Sequence, residues 1–537
     1  MAAEVNAGPG KGSNKPTIRL VKNGITYVYE NESYWDKAKK QPRSKRKLIG
    51  HIDPATGEIV PNRRYEPVNN TARTFVMGLS ILFDCIAENI GLKDSLLKTL
   101  PEQANAILTC AYYMLSEGNS LSRCEQWSAG AITPYGKRLG DQRISELLKS
   151  LTKDTQMEFF KEWMKVSAEK DTYALDITSI SSYSEEIEIV RAGYNRDHEN
   201  LEQINLALLI GSETYRPMYF SLLPGNINEK ASLNRFVSTV KAVGFTDFRM
   251  VMDKGFCTKA NIDMLYEERI RFTISITANL KFMDDAIKEV KDTIVKFGNF
   301  HKIIGTNVYV ATSLKSWNSH RCYTHVYFDE RKKDKDIGRF TERLWAVKNL
   351  LEAGATVSEK DTVFAEKYFE IKETPKRGRK VEPKEEEIEA FRNRTAGFLV
   401  LISNCEKDPV KCLEVYRAKE TAELGFDDMK NDEGLYRLRV HSEENMEGKL
   451  FIAFVALAIK MEMNRLVYGT KELENRTVQE IVDEMKLLRC TFIESRTKPL
   501  ITEQTKLQKL VMKTFGVKGE FDLDAPAADD PEPSPAP

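Results

Sequence analysis

After residue 171 the apolar positions fall in short runs of strand length broken by turns, whereas upstream, from about 70 to 166, they recur every three or four residues. TYALDITSI, QINLALLIG and YRPMYFSLLPG read as three neighbouring strands. A helix over about 229–243, the strand FRMVMD, a helix over about 258–269 and the strand RFTISIT follow. Three strands, helix, strand, helix, strand is the grammar of an α/β sheet. The upstream stretches TFVMGLSILFDCIAENIGL, QANAILTCAYYMLSEG and QRISELLKSLTKDTQMEFFKEWMKV predict a compact helical domain. Before them, TIRLVKNGITYVYENESYWD alternates polar and apolar residues around Asn23-Gly24, a hairpin turn signal.

Between about 280 and 400 the pattern is less regular. Strand-like stretches (TNVYVATSL, CYTHVYF) mix with a long charged helical segment and the run PKRGRKVEPKEEEIE. This reads as an insertion into the α/β domain, with GFLVLISN (397–404) returning to the core. A helix over about 409–430, the largely buried helix GKLFIAFVALAIKMEMNRL and a further helical region close the ordered chain. The predicted organisation is an unstructured 1–16; a basic β-hairpin region, 17–66, as a candidate DNA-binding surface; and a helical domain, 67–168, for DNA binding or dimerisation. A catalytic α/β domain then takes 169–280 and 401–470, interrupted by a partly β insertion at 281–400, with a helical region at 471–518 and an unstructured acidic tail at 519–537.

Charge changes this picture only locally. Eighty basic and eighty acidic side chains cancel, so the whole chain does not advertise an anionic partner. Lys37, Lys39, Lys40, Arg43, Lys45, Arg46 and Lys47 nevertheless cluster after the hairpin signal, as a phosphate-binding surface or an ordinary solvated basic loop. Lys376, Arg377, Arg379 and Lys380 form a second, weaker cluster. The eight cysteines have no CxxC pair or histidine at zinc-finger spacing and read as reduced thiols. The first residues lack an apolar h-region and FIAFVALAI (451–459) is too short for a bilayer, so a soluble, cytoplasmic protein without a membrane role is expected.

Three places carry candidate chemistry. Asp176 sits mid-strand between Leu175 and Ile177, where a carboxylate is costly unless paired or metal-bound. Asp253 ends the strand FRMVM before Lys254-Gly255-Phe256, at the carboxyl end of a strand, where ligand sites of open α/β sheets gather. Tyr416, Lys419, Glu423 and Lys430 are spaced by three, four and seven residues, one stripe of an α-helix. Each has an ordinary reading when taken alone: a structural ion pair for Asp176, a turn or N-cap for Asp253, a solvated face for the helix.

The last stripe resembles the Y-(2)-R-(3)-E-(6)-K signature of bacterial insertion-sequence DDE transposases, with lysine at 419 where arginine is usual. GYNRDHENLEQINLALLI, LLPGNINE and VMDKGF are also similar to this family, and the resemblance spans roughly 170–465. It implies a ribonuclease-H-like mixed sheet with Asp176, Asp253 and Glu423 as catalytic, metal-holding residues. They would bind two Mg²⁺ or Mn²⁺ ions about 3.5–4 Å apart. Tyr416, Lys419 and Lys430 would contact DNA. The implied activity is cutting element ends and joining their 3′ ends to target DNA, on double-stranded DNA, as a homodimer in a synaptic complex, near the nucleoid. His198, and Trp317 or Trp345 as a base-stacking residue, are weaker candidates, with local hydrogen bonding or packing as the ordinary alternatives. Competing readings are another ribonuclease-H-like nuclease, or a DNA-binding protein that has kept the fold without the chemistry.

Overall fold

Asn23 and Gly24 both take positive φ, 53° and 77°, and close a tight hairpin between β1 (Thr17–Lys22) and β2 (Ile25–Asp36). The computed structural model describes residues 17–36, 39–62, 72–118, 120–167, 172–184, 186–193, 201–227, 229–244, 247–277, 280–374, 378–417, 419–432, 437–440, 442–494, 496–518, 521 and 523. Lys37, His198, Lys376, Arg377 and both expected unstructured ends, apart from 521 and 523, lie outside them. The described residues up to Thr74, with Thr491–Leu500, make one unit; those from Phe75 to Cys490 and from Ile501 on make another.

In the first unit β2 pairs antiparallel with β3 (Gln41–Ile52), and β4 (Ile59–Pro61) completes a four-stranded sheet. Ile18 and Val28 are buried at its base. The basic residues from Arg43 to Lys47 are therefore strand, not loop: residues 41–47 alternate without an apolar face and extend as an exposed ribbon beside 32–35.

The chain passes through β5 (Ala72–Val76), and the second unit then carries α1 (Gly78–Asn89), α2 (Leu92–Thr99), α3 (Ala104–Glu117), α4 (Cys124–Ala129), α5 (Asp141–Ser150) and α6 (Lys153–Ser167). The strand-length runs then pair as expected: β6 (Thr172–Ser181), β7 (Gln203–Gly211) and β8 (Pro217–Pro224) are antiparallel neighbours. After α7 (Glu229–Val243), β9 (Arg249–Met252) lies parallel to β6. After α8 (Lys259–Glu267), β10 (Arg271–Ser275) lies parallel to β9. The spatial order β8-β7-β6-β9-β10 is third, second, first, fourth, fifth, the mixed sheet of the ribonuclease-H-like fold.

The region expected to interrupt this domain does two things. After α9 (Lys281–Ile294), β11 (Phe300–Ile303), β12 (Thr306–Trp317) and β13 (His320–Phe328) form a meander. It joins the main sheet through β16 (Phe398–Ser403), which pairs with both β13 and β10 and brings the sheet to nine strands. Buried Val326, Tyr327 and Phe328 make that edge too apolar to stand apart. Between β13 and β16, α10 (Glu330–Glu352), α11 (Glu359–Tyr368), β14 (Phe369–Thr374), β15 (Gly378–Pro383) and α12 (Glu385–Arg394) build a small module around Phe340, Val347, Leu351, Tyr368 and Ile388.

α13 (Pro409–Arg417), α14 (Glu420–Asp427) and α15 (Glu443–Tyr468) follow, then α16 (Val478–Lys486), β17 (Arg489–Ile493), β18 (Leu500–Ile501) and α17 (Lys506–Phe515). α15 is apolar around its circumference and is buried on all sides, against α3, α5 and β8. Gly448 allows the close approach, since any Cβ there would run into the backbone of Leu148. Among the described residues no helix is long and apolar enough to cross a membrane.

Candidate active site

Strand register creates the site. Leu175 of β6 lies opposite Met252 of β9 in a parallel pair, so the next residue on each chain is Asp176 and Asp253. Adjacent strands run about 4.8 Å apart, which sets the two aspartates as neighbours. Asp176 is buried, and one of its carboxylate oxygens accepts the Ile177 N–H at 2.8 Å. Asp253 leads into a single 3₁₀ turn, Lys254–Phe256, but its side chain does not cap that turn. It is about one-third exposed and accepts the Tyr416 hydroxyl at 3.0 Å instead. The turn reading of Asp253 therefore does not account for its carboxylate.

The downstream stripe is not one continuous helix. α13 ends at Arg417, α14 begins at Glu420, and Asp428–Asp432 widen into a π-helical turn. Tyr416, Lys419 and Glu423 nevertheless stay together. The Lys419 ammonium donates to Glu423 Oε1 at 2.7 Å and lies 3.9 Å from Asp253 Oδ1. It also sits 5.9 Å from the centre of the Tyr416 ring. Lys430, on the π-helical turn, is buried, so the stripe's fourth member does not share the exposed surface of Glu423. The widened turn shifts the angular spacing that a 3.6-residue repeat would give.

α14 is held against β6 and β7 at short range. Gly425 makes this contact: a Cβ would stand 2.8 Å from Ile210 Cδ1 and 3.6 Å from both Leu208 Cδ2 and the Met461 sulfur. Asn464 of α15 donates to Asp428 at 2.6 Å and ties the end of α14 to the core.

Electrostatics follow from this crowding. Burial pushes the Tyr416 phenol well above its ordinary range and the negative charge of Asp253 adds to the effect, so Tyr416 stays a donor. Burial would lower the Lys419 ammonium, but the hydrogen bond to Glu423 and the fields of Asp253, Glu423 and Asp176 outweigh it and raise it. Lys419 is thus a permanent cation facing all three carboxylates. Among the described residues no three His, Cys, Asp or Glu side chains stand as a preformed metal cage. The donor chemistry still fits a hard divalent ion. Two adjacent aspartates and a nearby glutamate offer only oxygen ligands, in a field already strong enough to hold an ammonium.

Other predicted residues lie apart from this cluster. Lys39, Lys40, Arg43, Lys45, Arg46 and Lys47 are exposed on the β2–β3 ribbon. Trp317 is buried, donates from its ring nitrogen to Asp263 at 3.2 Å and packs against Phe282, as ordinary packing requires. Trp345, on α10, is 69 % exposed. Lys380 pairs with Glu382 at 2.6 Å, and Arg379 lies across from Glu373 in the β14–β15 hairpin. Ser275, at the end of β10 beside the Tyr416 phenol, and Gly425 went unnoticed in the sequence. A serine ending a strand and a glycine in a helix carry no spacing signal; the contacts that explain them come from strands distant in the chain.

The family model described as a transposase DDE domain matches residues 167–459, more than half of the chain. Among solved structures, the cryo-EM structure of the piggyBac transposase synaptic complex with hairpin DNA is similar at 9% identity, over 83% of this chain and 82% of that one, with a TM-score of 0.37. No curated protein matches the chain.

Proposed function

This chain belongs to the transposase DDE domain family, and we propose that it binds the terminal inverted repeats of an insertion sequence, cuts the DNA and joins its 3′ ends to target DNA. The observation that carries this reading is the β6–β9 register, which makes Asp176 and Asp253 neighbours and sets them beside Tyr416 and Lys419 from a segment 163 residues downstream of Asp253. The run from Tyr416 to Lys430 supports the bacterial Y-R-E-K group, with Lys419 supplying charge without the arginine fork.

Family members generally use divalent metal ions. Asp176, Asp253 and Glu423 would hold two, Mg²⁺ or Mn²⁺, which when bound would activate the attacking oxygen and stabilise the leaving one. Tyr416 fixes the orientation of Asp253 through its hydroxyl. Lys419 balances the carboxylates and would steady a phosphate flanking the scissile bond, whereas the burial of Lys430 leaves it a supporting place behind that surface. Double-stranded element ends and target DNA are the substrates, two protomers pair the ends, and the protein works at the nucleoid.

The test is incubation of the full chain with linear DNA carrying the gene's flanking repeats, with Mg²⁺, Mn²⁺ or chelator. Metal-dependent cuts at the repeat ends are expected. Cutting without joining would favour a nuclease, and binding without cutting a DNA-binding protein that has lost the chemistry.

A further inference from the structure

The β2–β3 ribbon has two chemically different faces. Directly opposed residues of an antiparallel pair share a face, and successive residues alternate. One face therefore carries Glu30 opposite Lys47, Glu32 opposite Lys45 and Tyr34 opposite Arg43. Arg43 also lies 3.5 Å from Asp36. On this face cations meet carboxylates and much of the charge is internally balanced. The other face carries Asn31 opposite Arg46, Ser33 opposite Ser44 and Trp35 opposite Pro42. It holds no carboxylate. Ser33, Ser44 and Arg46 are exposed and Trp35 is 60 % exposed. Lys39 and Lys40 stand exposed at the tip, with Lys40 at a positive φ of 43°.

We propose that this carboxylate-free face of the ribbon enters the major groove of double-stranded DNA and reads base edges, with Arg46 as its main specificity-determining residue. The proposal rests on the reading of the chain as a transposase of its own element ends. A two-stranded ribbon fits the major groove, where a guanidinium can make a bidentate contact to guanine. Serine hydroxyls hydrogen-bond any base edge, and an exposed tryptophan offers apolar contact to a thymine methyl group. The tip lysines and any unbalanced cations of the opposite face contact phosphate, which gives affinity without sequence information. The full basic cluster thus divides into reading and holding parts, with Arg46 alone among its described strand residues on the reading face.

The experiment measures binding of the full chain, at one fixed salt concentration, to the gene's flanking inverted repeat and to a shuffled duplex of equal composition. Wild type is compared with Arg46→Ala, Arg46→Lys and Lys45→Ala, and cutting of the repeat by wild type is followed in parallel. Arg46→Ala and Arg46→Lys are expected to lower the preference for the repeat about 10-fold. Arg46→Lys, which keeps the charge but not the fork, should leave shuffled-DNA binding unchanged. Lys45→Ala should weaken both DNAs alike. Equal losses on both DNAs from Arg46→Ala, or a preference untouched by it, overturn the proposal even where wild type cuts the repeat ends. An Arg46-dependent preference in a protein that cuts nothing upholds the ribbon's role and sinks the transposase reading instead.

Discussion

Tyr416 donates its hydroxyl to Asp253 at 3.0 Å, joining the end of the fourth core strand to a helix 163 residues later in the chain. Because Tyr416 is buried and its ring packs among Val251, Leu401 and Leu413, the hydroxyl is fixed by the core and in turn fixes the carboxylate. Tyr416→Phe keeps the packing and removes only that bond. Loss of such an outer partner typically weakens metal binding about 10–100-fold. Cleavage by Tyr416→Phe should therefore need more Mg²⁺ or Mn²⁺ and recover at saturating metal. A purely structural tyrosine would lower the melting temperature and leave the metal titration unchanged.

Lys419 leads to a separate expectation. Its ammonium is bonded to Glu423 and faces Asp253, so it competes with any added cation for the same oxygens. Lys419→Met should bind Mn²⁺ several-fold more tightly than wild type in the absence of DNA, read by calorimetry or electron paramagnetic resonance, while strand cutting falls. Unchanged or weaker Mn²⁺ binding would show that the ammonium is not a competitor.

Gly425 controls how closely α14 lies on the sheet. Gly425→Val places branched carbon against Ile210 and should destabilise the protein by about 1–3 kcal/mol in urea melts, the usual range for overpacking. Cleavage should fall by more than that loss of folded protein explains, since Glu423 rides on the same helix.

Lys449 sets a pH dependence of stability. It is buried in α15, donates to the Leu438 carbonyl at 2.8 Å, and burial, with Arg439 nearby, lowers its pKa from 10.5 to about 8. Between pH 8 and 10.5 the unfolded chain holds a proton that the folded chain has released, so stability from this group rises with pH across that window. Lys449→Met should lack that rise. Thermal melts from pH 7 to 11 check it: the melting temperature of wild type should gain on that of the variant between pH 8 and 10.5, and parallel curves would contradict the assignment.

Most of the core was legible because its signals are local. Apolar runs of strand length around Asp176 and Asp253 give both strand identity and order, and order fixes the ribonuclease-H-like sheet. The meander of β11, β12 and β13 read as part of a separate insertion because its membership in the main sheet depends on β16, about 70 residues beyond β13, which sequence periodicity cannot pair. Likewise the stripe from Tyr416 to Lys430 keeps perfect helical spacing in sequence, yet the chain breaks after Arg417 and widens at Asp428. Contacts such as Asn464 with Asp428 hold that turn, and they are tertiary.

The most direct test of the central claim is strand transfer by wild type and Glu423→Gln on DNA bearing the gene's flanking inverted repeats, with Mg²⁺ or Mn²⁺ and with end binding measured alongside. Metal-dependent joining that falls at least about 100-fold in Glu423→Gln while end binding survives is the predicted result. Joining at the wild-type rate by Glu423→Gln, or no cutting or joining by wild type under either metal, would contradict it.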